Sequence, residues 1–319
     1  MRAYQLETFD APPAFVEVPT PVPSRGELLI RVHAVSINPV DLAIASGDAR
    51  SWLAYRFPVT LGRDLAGTVE QVGAGVTRYA VGDRVFGYIA GEFAHHGSFA
   101  EYVTVAEDEA VVRAPDGIDH VHCAGLGLAA VTASMCLDAA GVSGDDRVLV
   151  NGATGGVGSF ALQLAHARGA RVAASARPGQ EERLVLSLGA ERAIDWSAPD
   201  FAARARLIQA DGFDAILDLI NADPSAFAAL ASSVVTRGGK AISTLNAADP
   251  GQLDGIEAIN VWSSPDLDVL ERIASLASSR QLRTVVAETY DFDSLEAAFD
   301  AVRRGAVGKI CVRLAPAVA

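Results

Sequence analysis

The sequence predicts an α/β protein in which a barrel-like β domain precedes a doubly wound parallel sheet. Short β-branched runs separated by Gly and Pro fill the first third of the chain, and strands at this spacing are typical of a compact barrel. From residue 148 onwards, apolar strands alternate with helical stretches, which is the pattern of a doubly wound sheet. At 319 residues we expect two domains, because a single core stops growing near this length.

The composition restricts the classes of function. Lys plus Arg is 26 and Asp plus Glu is 39, which gives a formal net charge of −13. Nucleic acids and anionic membrane surfaces attract basic faces, so we expect neither as a partner. The three cysteines, Cys123, Cys136 and Cys311, are too far apart for a disulfide framework or a structural zinc module. The N-terminal residues contain no apolar run, and we expect a cytoplasmic protein.

Each domain is predicted from its own run of elements. In the first third, residues 28–36, 66–72, 83–86, 101–105 and 111–113 are predicted strands. The uncharged stretch 123–137 is too short to span a bilayer and is predicted to be a buried helix. Next come strands at 148–150, 171–175, 192–195, 214–219 and 240–244, alternating with helices at 157–168, 181–188, 201–209 and 225–234. Strands at 256–261, 284–290 and 309–314 and helices at 265–279 and 294–304 end the chain; the pattern leaves open which domain the last strands join.

The most informative segment is a glycine-rich turn after the strand at 148–150. Its residues are Ala153, Thr154, Gly155, Gly156, Val157 and Gly158, which fit G-x-G-x-x-G with alanine in the first place. Glycine permits the tight turn and a close approach of the backbone to a pyrophosphate, and the following helix presents its N-terminus to that group. Because the motif follows a strand and opens a helix, it predicts a dinucleotide site.

The end of the next strand indicates which dinucleotide is bound. A site for NAD usually places an acidic residue there, on the ribose 2′-hydroxyl. Here Ser175 and Arg177 stand in its place, and a guanidinium is able to hold a 2′-phosphate through two hydrogen bonds. We therefore expect NADPH as the cofactor, with a solvated turn arginine as the alternative for Arg177.

Several motifs in order resemble those of one family. They are Ile37-Asn-Pro-Val-Asp41, Leu61-Gly-Arg-Asp-Leu-Ala-Gly-Thr-Val-Glu-Gln-Val-Gly73, Val81-Gly-Asp-Arg-Val85, Gly97-Ser-Phe-Ala-Glu-Tyr102, Leu126-Gly-Leu-Ala-Ala-Val-Thr132, the glycine-rich turn and Val307-Gly-Lys-Ile310. Nearly the whole chain resembles the medium-chain dehydrogenase/reductase superfamily, in its zinc-free, zeta-crystallin-like NADPH:quinone oxidoreductase branch. The resemblance implies a discontinuous GroES-like catalytic domain (1–118 and 266–319) and an inserted Rossmann domain (119–265). It also implies an active site where the domains meet, and homodimers or larger homo-oligomers.

The resemblance also bears on metal binding. Zinc-dependent members use a Cys and a His as catalytic ligands, and the corresponding positions here hold Asn38 and Arg63. Neither side chain is an ordinary zinc ligand, so no metal is expected. The His pairs within residues 95–96 and 120–122 lack further ligand types at a suitable spacing.

The resemblance makes Asn38 the first candidate for a catalytic residue, because its amide is able to donate a hydrogen bond near the nicotinamide. An Asn that stabilises a turn before proline is the alternative. Relatives often carry a Tyr shortly after the Asn-x-x-Asp motif, where this chain has Ala43 or Ile44. Tyr55 and Tyr88 are therefore the remaining candidates for a catalytic phenol, with a buried Tyr that caps a packed cluster as the alternative.

The resemblance places further residues around the cofactor. Thr132 matches a position that contacts the nicotinamide ribose or ring, with a Thr bonded to its own helix backbone as the alternative. Asn221, Thr244 and Leu245 follow strands on the nicotinamide side. Trp196 stands where relatives often carry a Tyr near the adenosine phosphate, and this change leaves that contact open.

Together these features predict a zinc-independent oxidoreductase that transfers hydride from NADPH to a quinone or an α,β-unsaturated carbonyl compound. Negative charge then develops on the carbonyl oxygen, and hydrogen-bond donors aimed there lower the barrier. One alternative is an enoyl-thioester reductase, which requires a basic strip such as Arg50, Arg56 and Arg63. The other is a non-catalytic NADPH-binding redox sensor, since a fold alone does not determine function.

Overall fold

A computed structural model of the chain describes residues 1–109 and 111–314. The described residues form two compact units, one made of residues 1–131 and 264–314 and the other of residues 132–263. The first unit is therefore discontinuous in sequence. Its first boundary lies later than the predicted break at residues 118–119, because the first half of the following helix packs within the first unit.

The first unit begins with strands and one short helix. In chain order these are β1 (Arg2–Leu6), β2 (Ala14–Glu17), β3 (Glu27–Ile37), α1 (Pro39–Ser46), β4 (Ala54–Tyr55), β5 (Val59–Thr60), β6 (Asp64–Val72), β7 (Arg84–Tyr88), β8 (Phe93–Ala94), β9 (Tyr102–Ala106) and β10 (Val111–Arg113). The five predicted strands correspond to β3, β6, β7, β9 and β10. Helix α1 is absent from the prediction because the Asn-Pro pair that opens it is also typical of turns. Proline fits the first helical position, where an N–H has no partner within the helix.

Helix α2 (His120–Ala140) contains the boundary between the units. It bends at Gly127, whose ψ of −106° is not helical. Among the described residues it is the one helix with the length and apolar composition of a membrane span, and 72% of its 18-residue window is buried. Such burial is typical of a core helix, as the sequence predicts for residues 123–137.

The second unit is built around a parallel sheet. Its elements are β11 (Arg147–Asn151), α3 (Gly156–Ala167), β12 (Arg171–Ser175), α4 (Gln180–Ser187), β13 (Arg192–Ile194), α5 (Phe201–Ile208), β14 (Phe213–Asp218), α6 (Pro224–Val234), β15 (Val235–Ser243) and β16 (Glu257–Asn260). The strand order is β13-β12-β11-β14-β15-β16 and the pairings are parallel, which confirms the predicted doubly wound sheet. The order reverses between β11 and β14, and such sheets bind ligands beyond the strand ends at that point.

The remaining elements return to the first unit. They are α7 (Leu267–Ser278), β17 (Val286–Asp291), α8 (Leu295–Arg303) and β18 (Lys309–Arg313). Strand β18 pairs antiparallel with β3 and parallel with β17, which gives a sheet of order β10-β7-β6-β3-β18-β17 with β9 also paired to β3. The last strands therefore complete the first unit, a point that the sequence pattern leaves open. Their apolar side chains share one core with those of the N-terminal strands.

The bend in α2 depends on a close approach at Gly127. A Cβ atom there would lie 2.5 Å from Asp64 Oδ1 and 2.7 Å from the carbonyl oxygen of Gly87. Both atoms belong to the paired strands β6 and β7, so neither is free to shift as a flexible side-chain end would be. The glycine is required by this contact and weakens the helix only locally.

We expect Gly127→Ala to destabilise the protein, whereas the same change in an ordinary helix stabilises it by about 1 kcal/mol. The overpacked methyl group should lower the free energy of unfolding by about 1–3 kcal/mol, measured by urea titration. Gly144→Ala is the control, because its added Cβ would lie 3.7 Å from the nearest neighbouring atom. A Gly127→Ala variant as stable as the wild type would contradict the close approach.

Candidate active site

The glycine-rich turn joins β11 to α3 at the carboxyl edge of the parallel sheet. Gly152 has a φ of +85°, a left-handed conformation that favours glycine. A Cβ on Gly158 would lie 2.2 Å from the carbonyl oxygen of Gly152, so α3 packs directly on the turn. The N-cap residue Gly155 offers no side-chain hydrogen bond, which leaves the start of α3 without a side-chain cap. Such an N-terminus suits a pyrophosphate, and the predicted motif residues fit a dinucleotide.

Ser175 supports this turn from the end of β12. Its hydroxyl accepts hydrogen bonds from the backbone N–H of Gly152, at 2.8 Å, and of Ala153, at 3.5 Å. The side chain is 3% exposed. Ser175 therefore supports the glycine-rich turn, and its predicted contact with a 2′-phosphate stays a prediction.

Arg177, Glu181 and Trp196 form a cluster beside Ser175. The Arg177 guanidinium donates from Nε and Nη2 to Glu181 Oε1, at 2.8 and 2.6 Å. Glu181 Oε2 accepts from the backbone N–H of Arg177, at 2.8 Å, and from the indole N–H of Trp196, at 3.1 Å. Burial opposes ionisation of Glu181, but these hydrogen bonds outweigh it and hold the pKa of the carboxyl below its ordinary value.

Buried polar side chains also accept hydrogen bonds from the loops after β14 and β15. Asp218 is fully buried and accepts from the amides of Asn151, at 3.0 Å, and Asn221, at 2.6 Å. Ser243 accepts from the backbone N–H of Leu245 at 3.0 Å. The Asn221 amide is therefore engaged within its own loop, and the Leu245 side chain is 41% exposed.

The two other predicted cofactor residues of this group lie on different elements. Thr244 directly follows β15, between Ser243 and Leu245, and is partly buried. Thr132 lies in α2 and is 5% exposed. Their predicted contacts with the nicotinamide stay predictions.

A second polar cluster lies in the first unit, around the fully buried carboxylate of Asp64. Its Oδ1 accepts the backbone N–H of Leu128 at 2.7 Å. Its Oδ2 accepts from the Ser36 hydroxyl, from Asn38 Nδ2 at 2.9 Å and from Lys309 Nζ at 3.3 Å. The elements β3, β6, α2 and β18 thus converge on one carboxylate, and Lys309 is itself only 3% exposed.

Asn38 lies between the two charges of this cluster. Its Oδ1 accepts from Lys309 Nζ at 2.6 Å while its Nδ2 donates to Asp64. These opposite contacts fix the orientation of the amide, because a flipped amide would face a cation with its own donor. The side chain is 2% exposed, and one Nδ2–H forms no hydrogen bond with the described residues.

Asp41 lies one helical turn after Asn38 in α1. Its Oδ2 accepts the backbone N–H of Asn38 at 2.8 Å, whereas its buried Oδ1 has no hydrogen-bond partner among the described residues. Burial raises the pKa of Asp41 to about 7, and the nearby Asp64 carboxylate acts in the same direction.

The residues at the expected zinc positions do not fit a zinc ion. Arg63 is 8% exposed and donates from Nη1 to the carbonyl oxygen of Ile89 at 3.0 Å, and a guanidinium cannot act as a ligand. At Asn38 the amide oxygen is held by the Lys309 ammonium, so a cation already occupies this acceptor. Within residues 1–109 and 111–314, no three His, Cys, Asp or Glu side chains group as metal ligands.

The two candidate phenols lie in different surroundings. Tyr88 ends β7, in register with Asp64, and is 0% exposed; its predicted role as a donor to substrate stays a prediction. Tyr55 is partly buried, and its hydroxyl donates to the carbonyl oxygen of Ile44 at 3.1 Å. Tyr55 is the candidate phenol that keeps a partly exposed position.

Comparisons with known proteins agree with this architecture. Residues 24–116 match the alcohol dehydrogenase GroES-like domain family, and residues 188–312 match the zinc-binding dehydrogenase family. The quinone oxidoreductase of Sus scrofa is 30% identical over 310 residues, which cover 93% of this chain and 92% of that protein. A chloroplast envelope quinone oxidoreductase homolog of Arabidopsis thaliana is 30% identical over 328 residues, 98% of each chain. The quinone oxidoreductase of Thermus thermophilus, solved also with NADPH, is 28% identical with a TM-score of 0.81 and covers 98% of this chain and 100% of that one.

The fold and the glycine-rich site define an oxidoreductase with a GroES-like domain, a Rossmann domain and a nicotinamide cofactor. The chain belongs to the quinone oxidoreductase branch of the medium-chain dehydrogenase/reductase superfamily. Asn38 and Arg63 stand at the two positions where the resemblance implies zinc ligands in zinc-dependent members.

Sequence reasoning did not assign a role to three residues that organise these sites. Asp64 and Lys309 lie in the motifs that carry the family resemblance, and each is a charged residue next to an apolar run, which is a signal for a buried group that needs a partner. Glu181 lies four residues after Arg177, and this helical spacing is a signal for an ion pair.

We expect Lys309→Met to destabilise the protein strongly, because the buried Asp64 carboxylate loses its counter-ion. Breaking one side of a buried pair costs about 3–5 kcal/mol, measured as the free energy of unfolding. Lys240→Met is the control, since Lys240 is part-exposed and lies 3.7 Å from Glu257. If Lys309→Met and Lys240→Met lowered the free energy of unfolding equally, burial of the Lys309–Asp64 pair would add nothing to stability.

The raised pKa of Asp41 predicts that the stability of the protein depends on pH. The unfolded chain loses this proton near pH 4, whereas the folded protein keeps it up to about pH 7. Between these values the folded state binds more protons, so this group lowers stability as the pH rises, until about pH 7. In urea titrations at several pH values, Asp41→Asn should gain stability relative to the wild type from pH 4 to pH 7. A difference that does not vary with pH would contradict the raised pKa.

Proposed function

We propose that this protein is a reductase that uses NADPH to reduce a quinone or an α,β-unsaturated carbonyl compound without a catalytic metal. The observation that carries the proposal is the closed network of Asn38, Asp64 and Lys309. In this network the Lys309 ammonium donates to the amide oxygen of Asn38, which stands at one of the two positions expected for zinc ligands. The guanidinium of Arg63 stands at the other position. In this proposal, hydrogen bonds activate the conjugated acceptor.

Arg177 supports NADPH over NADH. No acidic side chain follows β12 at the position that holds a ribose 2′-hydroxyl. The Arg177 side chain is 56% exposed even though it pairs with Glu181. A 2′-phosphate has access to the remaining donors of the guanidinium, and a charge-assisted hydrogen bond of this kind is about twice as strong as a neutral one.

The reduced nicotinamide supplies a hydride when the cofactor is bound. In a quinone or an enone, conjugation carries the developing charge to the carbonyl oxygen, where a hydrogen-bond donor stabilises it. Asn38 has one Nδ2–H for this purpose, and its amide is already fixed by Asp64 and Lys309. Water or Tyr55 completes the product with a proton, which gives a hydroquinone or a saturated ketone.

Aromatic side chains of the first unit support a planar substrate. The Phe9 ring lies 4.8 Å from the ring centroids of both Tyr55 and Phe57. Phe9 is 40% and Phe57 38% exposed, and Tyr55 is bonded to the backbone of α1, the helix that starts after Asn38. Such rings offer faces and edges on which a quinone is able to stack.

Two arginines favour an enoyl thioester as the second candidate substrate. The guanidinium carbon of Arg50 lies 4.7 Å from the Phe9 ring centroid, and that of Arg56 lies 3.4 Å from the Phe93 centroid. These cations lie on the same aromatic loops and suit the phosphate of a phosphopantetheine arm. A non-catalytic NADPH sensor is the outcome to consider if no acceptor is reduced.

We further propose a cytoplasmic homo-oligomer that pairs through the second unit. Among the described residues, β16 is an edge strand of the parallel sheet, and Trp262 close after it is 54% exposed. An exposed strand edge beside a large apolar side chain is suited to pairing with a second copy.

The test of function is oxidation of NADPH and NADH, each measured against a benzoquinone, a simple enone and an enoyl thioester. Faster turnover with NADPH on the quinone or the enone supports the proposal. Faster turnover on the thioester favours the second candidate. Tight NADPH binding without turnover on any acceptor supports the sensor and overturns the proposed reaction.

Arg177→Ala should weaken NADPH binding by about tenfold to a hundredfold, as expected for lost charge-assisted hydrogen bonds. The dissociation constant of NADH should change little, since NADH has no 2′-phosphate. Arg204→Ala is a matched control, because Arg204 is 49% exposed and pairs with Asp200 at 2.6 Å. Equal loss of both cofactors in Arg177→Ala would refute the 2′-phosphate role.

A further inference from the structure

We propose that Trp196 is a positioning residue for cofactor selection: it acts on a 2′-phosphate through Arg177 and not by touching the phosphate. The proposal rests on the proposed use of NADPH. Its basis is the cluster of Arg177, Glu181 and Trp196, in which each of the three side chains contacts the other two.

Glu181 is saturated by this cluster. A carboxylate has about four acceptor sites, and Glu181 accepts from Arg177 Nε, Nη2 and backbone N–H and from Trp196 Nε1. The residue is 7% exposed. It therefore has no acceptor left for ribose hydroxyls, and it does not replace the acidic residue of an NAD site. Its role is to hold one edge of the Arg177 guanidinium.

The opposite edge of Arg177 remains for a ligand. A guanidinium carries five N–H donors, and the Nε–H and one Nη2–H are engaged by Glu181. The other three donors form no hydrogen bond with the described residues, and the side chain is 56% exposed. This geometry presents a planar fork to an anion such as a 2′-phosphate.

Trp196 contacts the planar face of the Arg177 guanidinium. The guanidinium carbon of Arg177 lies 5.1 Å from the indole ring, within the range of a cation–π contact. The single N–H donor of the indole is used by Glu181, so Trp196 has none for a phosphate.

A fixed arginine binds an anion more tightly because less side-chain freedom is lost on binding. A free arginine side chain has several rotatable bonds, and their freedom is lost when the side chain is held against a ligand. Glu181 and Trp196 restrict that freedom before the ligand arrives. We test Trp196 because changing Glu181 also alters the charge beside the phosphate and would mix two effects.

The experiment measures dissociation constants by calorimetry for adenosine 2′,5′-bisphosphate and for adenosine 5′-monophosphate, which lacks the 2′-phosphate. The full-length proteins are the wild type, Trp196→Leu, Trp196→Phe, Arg177→Ala and the double variant Arg177→Ala/Trp196→Leu. Leu207→Ala is the control, a change at an exposed apolar side chain in the same unit. Far-UV circular dichroism reports that each variant is folded, independently of either ligand.

Trp196→Leu should weaken the bisphosphate about threefold to tenfold, as expected for a lost cation–π contact, and leave the monophosphate within about twofold. Trp196→Phe should restore part of the loss, because a phenyl ring still stacks. In the Arg177→Ala background, Trp196→Leu should have no further effect, since the residue acts through Arg177.

Three results would overturn the inference. One is a Trp196→Leu variant that binds the bisphosphate as the wild type does. Another is equal loss of both ligands, which would mean that the indole contacts the adenosine itself. The third is a loss that persists without Arg177. A wild type with no preference for the bisphosphate would instead refute the proposed NADPH selectivity, so the two failures are distinguishable.

Discussion

The first unit depends on the buried ion pair of Lys309 and Asp64, two residues 245 positions apart in sequence. Burying a charge is costly unless every donor and acceptor finds a partner. Asp64 accepts from Ser36, Asn38, Lys309 and the backbone of Leu128, and Lys309 also donates to Asn38 and to a carbonyl oxygen of β3. The cost of burying the two charges is offset only when all these groups come together. The pair therefore specifies how the C-terminal strand joins the N-terminal sheet.

The same pair determines the chemistry available beside it. The ammonium sits on the amide oxygen of Asn38, which fixes the amide and supplies a positive charge without a metal. Gly127 is needed so that the bent helix α2 can bring its backbone N–H groups to the carboxylate. Glycine is unfavourable inside a helix, but here it permits a hydrogen bond from the backbone of α2 to the buried Asp64 carboxylate. This explains why a glycine stands in the middle of an apolar helix.

The parallel sheet could be predicted from sequence because its signals are local: apolar strands, helical stretches and a glycine-rich turn follow one another within short distances. Helix α1 could not, since Asn38 followed by proline starts turns as well as helices. The pairing of Asp64 with Lys309 could not be predicted either, because no local pattern links β6 to β18. The roles predicted for Ser175 and Tyr88 came from sequence position alone. Sequence position does not reveal burial, and in the structure Ser175 lies under the glycine-rich turn and Tyr88 lies in the core.

Both polar clusters use a saturated carboxylate to fix a cation, but burial gives them different consequences. Around Asp64 the pair is enclosed, so salt does not screen it and its loss appears as lost stability. Around Glu181 the carboxylate is buried while the Arg177 guanidinium is half exposed, so the pair adds little to stability. Its exposed donors are instead kept in one geometry for an anion. One arrangement of charges thus holds a strand in the first unit and, in the role we propose, selects a ligand in the second.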